Sequence, residues 1–292
     1  MIAARHSLHV ARYQVRSRLW SRPGLRIAIL SDLHVCGRWM PLNKLAQIVA
    51  QTNALRPDMV ALPGDFLVGH LVGKKPVPAA DIAAVLARLC APLGVFACLG
   101  NHDWADCPEA RQNGFVSSSL EAAMARAGIH LLINKAAQLA NGAYVVGLDS
   151  AIGHGTTFRP KPRHDPARAF DNVPDGAAVI LLAHEPDFFL DQEQPVALQI
   201  SGHTHGGQIG DLGIWATQPS RYGAQLGYGL KQSEERNLIV SAGIGYGGLP
   251  IRAGRTSEIA LVEMMPGLAS QAGPAAAGTA PAPAPAQARA RS

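Results

Sequence analysis

The chain of 292 residues is short of charge, aromatics and long apolar runs, and each shortage removes a class of protein. Charged residues make up only 16% against 48% hydrophobic, which excludes a disordered chain or a highly charged coiled coil. Aromatics, at 5%, are too sparse for the stacking platforms of a single-strand nucleic-acid binder. No run approaches the roughly 18 to 20 apolar residues that a membrane-spanning helix needs. The amino terminus has no continuous apolar segment of the kind a secretory signal requires. Cys36, Cys90, Cys98 and Cys107 form no C-x-x-C pair, so neither a zinc ribbon nor a thioredoxin-type site is indicated, and a cytoplasmic protein with reduced thiols is expected.

Acids are missing from both ends. Residues 1–30 hold six arginines and no acid, and the tail from residue 267 holds two more, Arg289 and Arg291. Removing these eight cations from the net charge of +5 leaves residues 31–266 at −3, a poor match to a polyphosphate backbone, and no nucleic-acid partner is expected. Residues 1–24 are therefore expected to be a basic segment outside the folded domain, solvated or in peripheral contact with anionic lipid at the inner face of the cell membrane. Residues 267–292, with 11 Ala and 4 Pro among 26, read as a disordered tail.

Between these ends, short apolar runs at residues 25–30, 59–62 and 94–99 alternate with helical patterns at 41–55, 81–89 (Asp81 as cap) and 120–127. Further strands are expected at 144–148, 178–183, 197–200, 238–240 and 258–262, giving one α/β domain over residues 25–266 with mixed sheets. Five of the apolar runs end in polar clusters: Asp32-x-His34, Gly64-Asp65, Gly100-Asn101-His102-Asp103, His184 and Gly202-His203-Thr204-His205. Ligands of layered α/β folds gather at the carboxyl ends of strands, so five such ends can converge on one cavity. Two carboxylates, an amide carbonyl and four imidazoles form a mixed oxygen and nitrogen set without thiolate, suited to Mn²⁺, Fe²⁺ or Zn²⁺. Seven ligands are too many for one tetrahedral ion and match two ions that share a carboxylate, the clamp used for in-line displacement at phosphorus.

In this order the five motifs resemble the calcineurin-like metallophosphoesterase superfamily. Ser31-Asp32-Leu33-His34, Ala183-His184-Glu185-Pro186-Asp187 and Gly202-His203-Thr204-His205-Gly206-Gly207-Gln208 resemble its bacterial YkuE-like branch, similar to UDP-2,3-diacylglucosamine pyrophosphatases. The resemblance implies a layered α/β/β/α sandwich with two mixed β-sheets. It implies that Asp32, His34 and His205 hold one divalent ion and Asn101, His184 and His203 a second, with Asp65 bridging and Mn²⁺ the first choice of metal. A water acidified by both ions would attack phosphorus. His102 would be no ligand but an acid or charge stabiliser, with Asp103 orienting its imidazole. The implied activity is hydrolysis of a phosphate ester or pyrophosphate on a phosphorylated small molecule, a lipid-linked compound or a nucleotide sugar.

The alternatives are a nuclease or cyclic-nucleotide phosphodiesterase and, in another class, a catalytically weak metal-bound scaffold. The chain departs from the family pattern G-D-x-x-D at Val68, and Pro63 stands where the branch usually has Thr. Gly243-Ile244-Gly245-Tyr246-Gly247-Gly248 has no following helix pattern, so a loop walling the site is expected rather than a dinucleotide cradle. Residues 153–174, with His154 and His164, are a candidate substrate-side loop. His6, His9, His70 and His130 read as ordinary surface or core residues, and Cys36 as a small buried hydrophobe.

Overall fold

The structure is a computed structural model and describes residues 8–69, 75–156, 159–191, 193–209, 219–233 and 236–267. The readings of His6, His70 and almost all of the tail fall outside these residues. Two six-stranded sheets lie face to face. The first runs β1 (His9–Ser17), β14 (Glu258–Pro266), β2 (Leu25–Ile29), β3 (Met59–Pro63), β4 (Val95–Cys98), β5 (His130–Leu131). The second runs β12 (Gly229–Gln232), β13 (Asn237–Val240), β11 (Leu198–Ser201), β10 (Val179–Leu182), β7 (Tyr144–Gly147), β6 (Lys135–Gln138). A hairpin of β8 (His154–Thr156) and β9 (Arg159–Lys161) stands apart.

Both sheets are mixed. Strands β2 to β5 are parallel while β14 runs antiparallel to β2, and β7, β10, β11 and β13 are parallel while β6 and β12 run against their neighbours. The side-chain alternation of a strand sorts the core into layers. Ile27 and Ile29 of β2 meet Met59, Val145, Ile180, Leu182 and Ile200 between the sheets. Ala28 and Leu30 face the other way, onto three helices: α1 (Leu42–Ala54), α2 (Ala79–Leu86) and α5 (Ser119–Arg126). On the second sheet, Val146, Val179 and Leu181 pack on Ala169 of α6 (Pro166–Phe170). The result is the α/β/β/α sandwich expected. The short helices α3 (Asn101–Ala105), α4 (Pro108–Gln112) and α7 (Phe188–Asp191) sit at the strand ends.

The expected elements form, with two differences. Asp81 lies in the first turn of α2, not at its cap, which is Pro78. More consequentially, the basic segment is not outside the domain: β1 pairs over nine residues with β14 and is the edge of the first sheet. Ala11, Val15 and Ser17 point inward while Arg12 and Arg16 point out, a period-two pattern that buries half of a cationic strand. Trp20, fully buried, follows and donates from Nε1 to the Pro23 carbonyl at 3.0 Å. Because β1 runs antiparallel to β2, Arg16, Arg18, Arg22 and Arg26 gather at the end of the sheet opposite Asp32, roughly 20 Å away at about 3.3 Å per residue. A lipid surface held by those arginines would not face Asp32. Among the described residues no helix is long and apolar enough to cross a membrane.

If residues 9–24 belong to the core, Trp20→Ala should destabilise the protein by about 3 to 5 kcal/mol, the usual cost of emptying a buried Trp site. Denaturant melts monitored by circular dichroism measure it. An unchanged midpoint would mean that this segment is an appendage.

Candidate metal centre

Six loops leave the carboxyl ends of β2, β3, β4, β10, β11 and β13, and five of them carry the polar clusters found in the sequence. They meet. Asp65 Oδ2 lies 3.5 Å from His34 Nε2 and 3.2 Å from His184 Nε2, so one carboxylate from the first sheet stands between a histidine of its own sheet and one of the other. His205 Nε2 is 3.1 Å from His34 Nε2 and 3.6 Å from Asp32 Oδ1. His203 Nδ1 is 3.0 Å from Asn101 Oδ1. Asp32, His34 and His205 form one group with mutually close ligand atoms, and Asp32, Asp65 and His184 another. All seven candidate ligands and His102 thus surround one site, and Asp32 and His34 are 0% exposed.

The backbone is bent to make this possible. Among the described residues eight that are not glycine have a left-handed φ, and five of them are Asp32, His34, Asp65, His203 and His205. Such conformations cost energy and persist only where surrounding bonds over-determine them. Asp103 supplies the largest share of those bonds. Its carboxylate accepts from the backbone N–H of Asp65 (2.8 Å), Phe66 (2.7 Å), Leu67 (3.0 Å) and Gly100 (2.9 Å), tying the β3 loop to the β4 loop. Asp32 Oδ1 accepts from His203 N at 2.9 Å, and Asp65 Oδ1 from His102 N at 2.9 Å. Glycine permits the closest approaches: a Cβ at Gly64, whose φ is +91°, would stand 2.5 Å from Gly100 N.

The glycine-rich loop after β13 walls the site as expected. Gly245 N donates to the Asp32 carbonyl at 2.7 Å, and a Cβ at Gly247 would meet His205 Nε2 at 2.8 Å. Val68, at the position of the family's second Asp, is buried in the core under α1 and α2, and the Pro63 carbonyl faces His184 Nδ1 at 2.7 Å.

The expected role of Asp103 is corrected. It does not orient His102, because its four oxygen lone-pair directions are taken by backbone donors. Asp106 does so: its Oδ2 lies 2.7 Å from His102 Nδ1, one helical turn further on. The spacing of four residues was the available signal. Arg252, which the sequence did not mark, sits with Nη2 3.4 Å from His205 Nδ1.

The electrostatics are those of a site with too many like charges. Burial and the neighbouring Asp65 push Asp32 up to about 6, against the pull of His184, and push Asp103 up to about 7. Burial also works against ionised Asp65, yet His184, His102 and His34 outweigh it and hold its carboxyl well below the ordinary value. Burial lowers His203 and His205, with His184 and His34 respectively adding repulsion. His102 is raised although burial lowers it, because Asp65 and Asp106 favour its cation.

Divalent cations fit this donor set. His184 Nε2 is buried and faces Asp65 without a hydrogen bond, although its Nδ1 is satisfied by the Pro63 carbonyl. His34 likewise has Nδ1 3.0 Å from the Leu67 carbonyl, and its Nε2, 3.1 Å from His205 Nε2 and 3.5 Å from Asp65 Oδ2, is turned to the site. His203 faces a carbonyl oxygen at each nitrogen, Asn101 Oδ1 and Pro219 O, and a neutral imidazole can donate to only one. His205 is the exception, its Nδ1 facing a guanidinium.

The model of the calcineurin-like phosphoesterase family matches residues 25–207. A zebrafish transmembrane protein with a metallophosphoesterase domain is 30% identical over 241 residues, 81% of this chain and 52% of that protein, so the chain spans about half of its length. Phosphodiesterase YaeI of Escherichia coli is 29% identical over 248 residues, 82% of each chain. The UDP-2,3-diacylglucosamine pyrophosphatase LpxG of Chlamydia muridarum is 31% identical over 227 residues, 64% of this chain and 65% of that one.

Asp103→Asn should turn an amide N–H₂ toward backbone donors, lowering stability by about 1 to 3 kcal/mol and weakening Mn²⁺ binding 10- to 100-fold. Thermal melts and metal titration of the same variant measure both, and wild-type values for both would remove Asp103 from its pinning role. By the family model matched over residues 25–207, the chain belongs to the calcineurin-like phosphoesterase family.

Proposed function

We propose that the chain hydrolyses a phosphodiester or pyrophosphate bond with two divalent cations bound in the centre described above. The observation that carries the reading is the position of Asp65, whose single carboxylate stands within 3.5 Å of histidines from both sheets, as a shared ligand would. Asp32, His34 and His205 would hold one ion, Asn101, His184 and His203 the other, and the oxygen and nitrogen donors suit Mn²⁺, Fe²⁺ or Zn²⁺. When bound, the cations supply an acidified water as nucleophile and positive charge for the phosphoryl oxygens.

The chain's own residues do the rest. Asp103 and the glycine-rich loop hold the ligand loops fixed before substrate arrives, so little reorganisation is left for the reaction. His102 donates from Nδ1 to Asp106, which leaves Nε2 to carry the second proton of the imidazolium that Asp65 and Asp106 favour. That cation would stabilise charge growing on the phosphoryl group or protonate the leaving oxygen. His102 lines a cavity of about 560 Å³ with Asp65, Asn101, His203 and His205, so its side chain and the ligands address the same space. The similarity to a phosphodiesterase and to a pyrophosphatase supports this reaction class. A scaffold that had lost catalysis would normally lack a ligand, and none is missing.

The purified chain saturated with Mn²⁺ should bind two ions and hydrolyse bis(4-nitrophenyl) phosphate, and elemental analysis near one ion per chain would contradict the shared-carboxylate centre. His102→Asn should keep both ions and lose roughly 10²- to 10⁴-fold in turnover. Asp65→Asn should lose metal and activity together. If His102→Asn sheds metal as readily, His102 is a ligand and its assigned role is wrong.

A further inference from the structure

A second cavity of about 690 Å³ opens beside the first. Ile152, His203 and Pro219 line both, so the two spaces meet at the edge of the metal centre. Much of the wall of the second cavity is apolar, with Leu148, Ile152, Ala183 and Phe188, and His164 lies beside Phe188 with its Nδ1 buried and without a hydrogen-bond partner. Its charged groups among the described residues are Asp149, Glu185, Asp187 and Asp191 against Arg221. That cation is already committed, since Arg221 bonds to Asp187 and Asp191. The carboxylates are committed as well. Asp149 accepts from Trp104 Nε1 at 2.7 Å, Glu185 from Ala151 N at 3.0 Å, and Asp187 from Arg221 N at 2.9 Å. The wall therefore offers mainly apolar contact, with His164 Nδ1 as an unpaired polar atom, and its carboxylates, which outnumber Arg221 four to one, disfavour an anion.

We propose that this second cavity is the specificity subsite for one ester substituent of the substrate, and that the substituent is uncharged and apolar rather than a second phosphate or another anion. The inference rests on the hydrolase reading and deepens it: of the substrates that reading admits, it selects a phosphodiester carrying an apolar group next to the reacting phosphorus. Ile152 is the sorting residue. It is a large hydrophobe, 40% exposed, at the junction of the two cavities, where a substituent must pass on its way from phosphorus to the apolar wall. Exposure of such a side chain beside a cavity is expected of a surface that is covered when ligand binds. Selection against anions follows from the net negative lining, which acts as repulsion against the wrong substrate as well as indifference toward it.

The test uses the full chain loaded with Mn²⁺ and three 4-nitrophenyl phosphodiesters whose second substituent is methyl, butyl, or a butyl chain ending in a carboxylate. Burial of three methylenes predicts at least a tenfold rise in kcat/KM from methyl to butyl, and loss of that rise when the chain ends in a carboxylate. Ile152→Asp should bring the butyl-to-methyl ratio close to one, whereas Ile152→Leu should keep it. Calorimetric titration with methyl and butyl esters of methylphosphonic acid should show the same order of affinity, independently of turnover. Equal kcat/KM and equal affinity for methyl and butyl compounds would overturn the subsite, as would an unchanged ratio in Ile152→Asp. Chain-length-dependent binding without turnover of any ester would overturn the hydrolase reading and leave the subsite standing.

Discussion

The structure depends on burying negative charge among imidazoles, which are positive only when protonated. Asp32, Asp65 and Asp103 are all buried at the ends of neighbouring strands, and Asp65 raises both of the others. Removing ionised carboxylates from water costs several kcal/mol each unless charge or hydrogen bonds compensate. The fold meets that cost in two ways. Asp103 is compensated by four backbone N–H groups, whereas Asp32 and Asp65 face the ring nitrogens of His34, His184 and His205. The first arrangement is finished as it stands, and the second would be completed by the cations proposed above. This difference separates the carboxylate that shapes the site from the two that would bind metal.

The same division explains where strain is stored. Left-handed backbone at five candidate ligands turns the chain sharply just past the strand ends. No single element could hold such turns. They are held because Asp103 bonds two loops at once and because the glycine-rich loop after β13 lies directly on Asp32 and Leu33. The two sheets contribute unequally: the first supplies both carboxylates, the second supplies three of the four imidazoles, and Asp65 is where the halves touch.

Much of this was legible in the sequence, and the parts that were not have physical reasons. An apolar run followed by Asp-x-His or Gly-Asn-His announces both a buried strand and what its end carries, so the candidate ligands and an α/β domain with mixed sheets could be read locally, while the α/β/β/α layering followed from the family resemblance. The work of Asp103 could not, since its donors at Asp65, Phe66 and Leu67 lie some 36 to 38 residues away and are backbone groups with no sequence signature. Asp106 was readable from its spacing to His102 but was overshadowed by the adjacent Asp103. In β1 the alternation of Ala11, Val15 and Ser17 with the arginines is the pattern of an edge strand, which the net charge of the segment does not reveal. The second cavity has no sequence motif at all, because apolar wall residues at positions 148, 152, 183 and 188 look like any other core.

If Asp65 is the carboxylate shared between two cations, as proposed, both ions must contact it. Anomalous diffraction from crystals of the Mn²⁺-loaded chain, collected at the manganese edge, tests it most directly. Two peaks per chain are predicted, one against Asp32, His34 and His205 and one against Asn101, His184 and His203, with an Asp65 oxygen touching both. A single peak, or two peaks of which only one contacts Asp65, would contradict it.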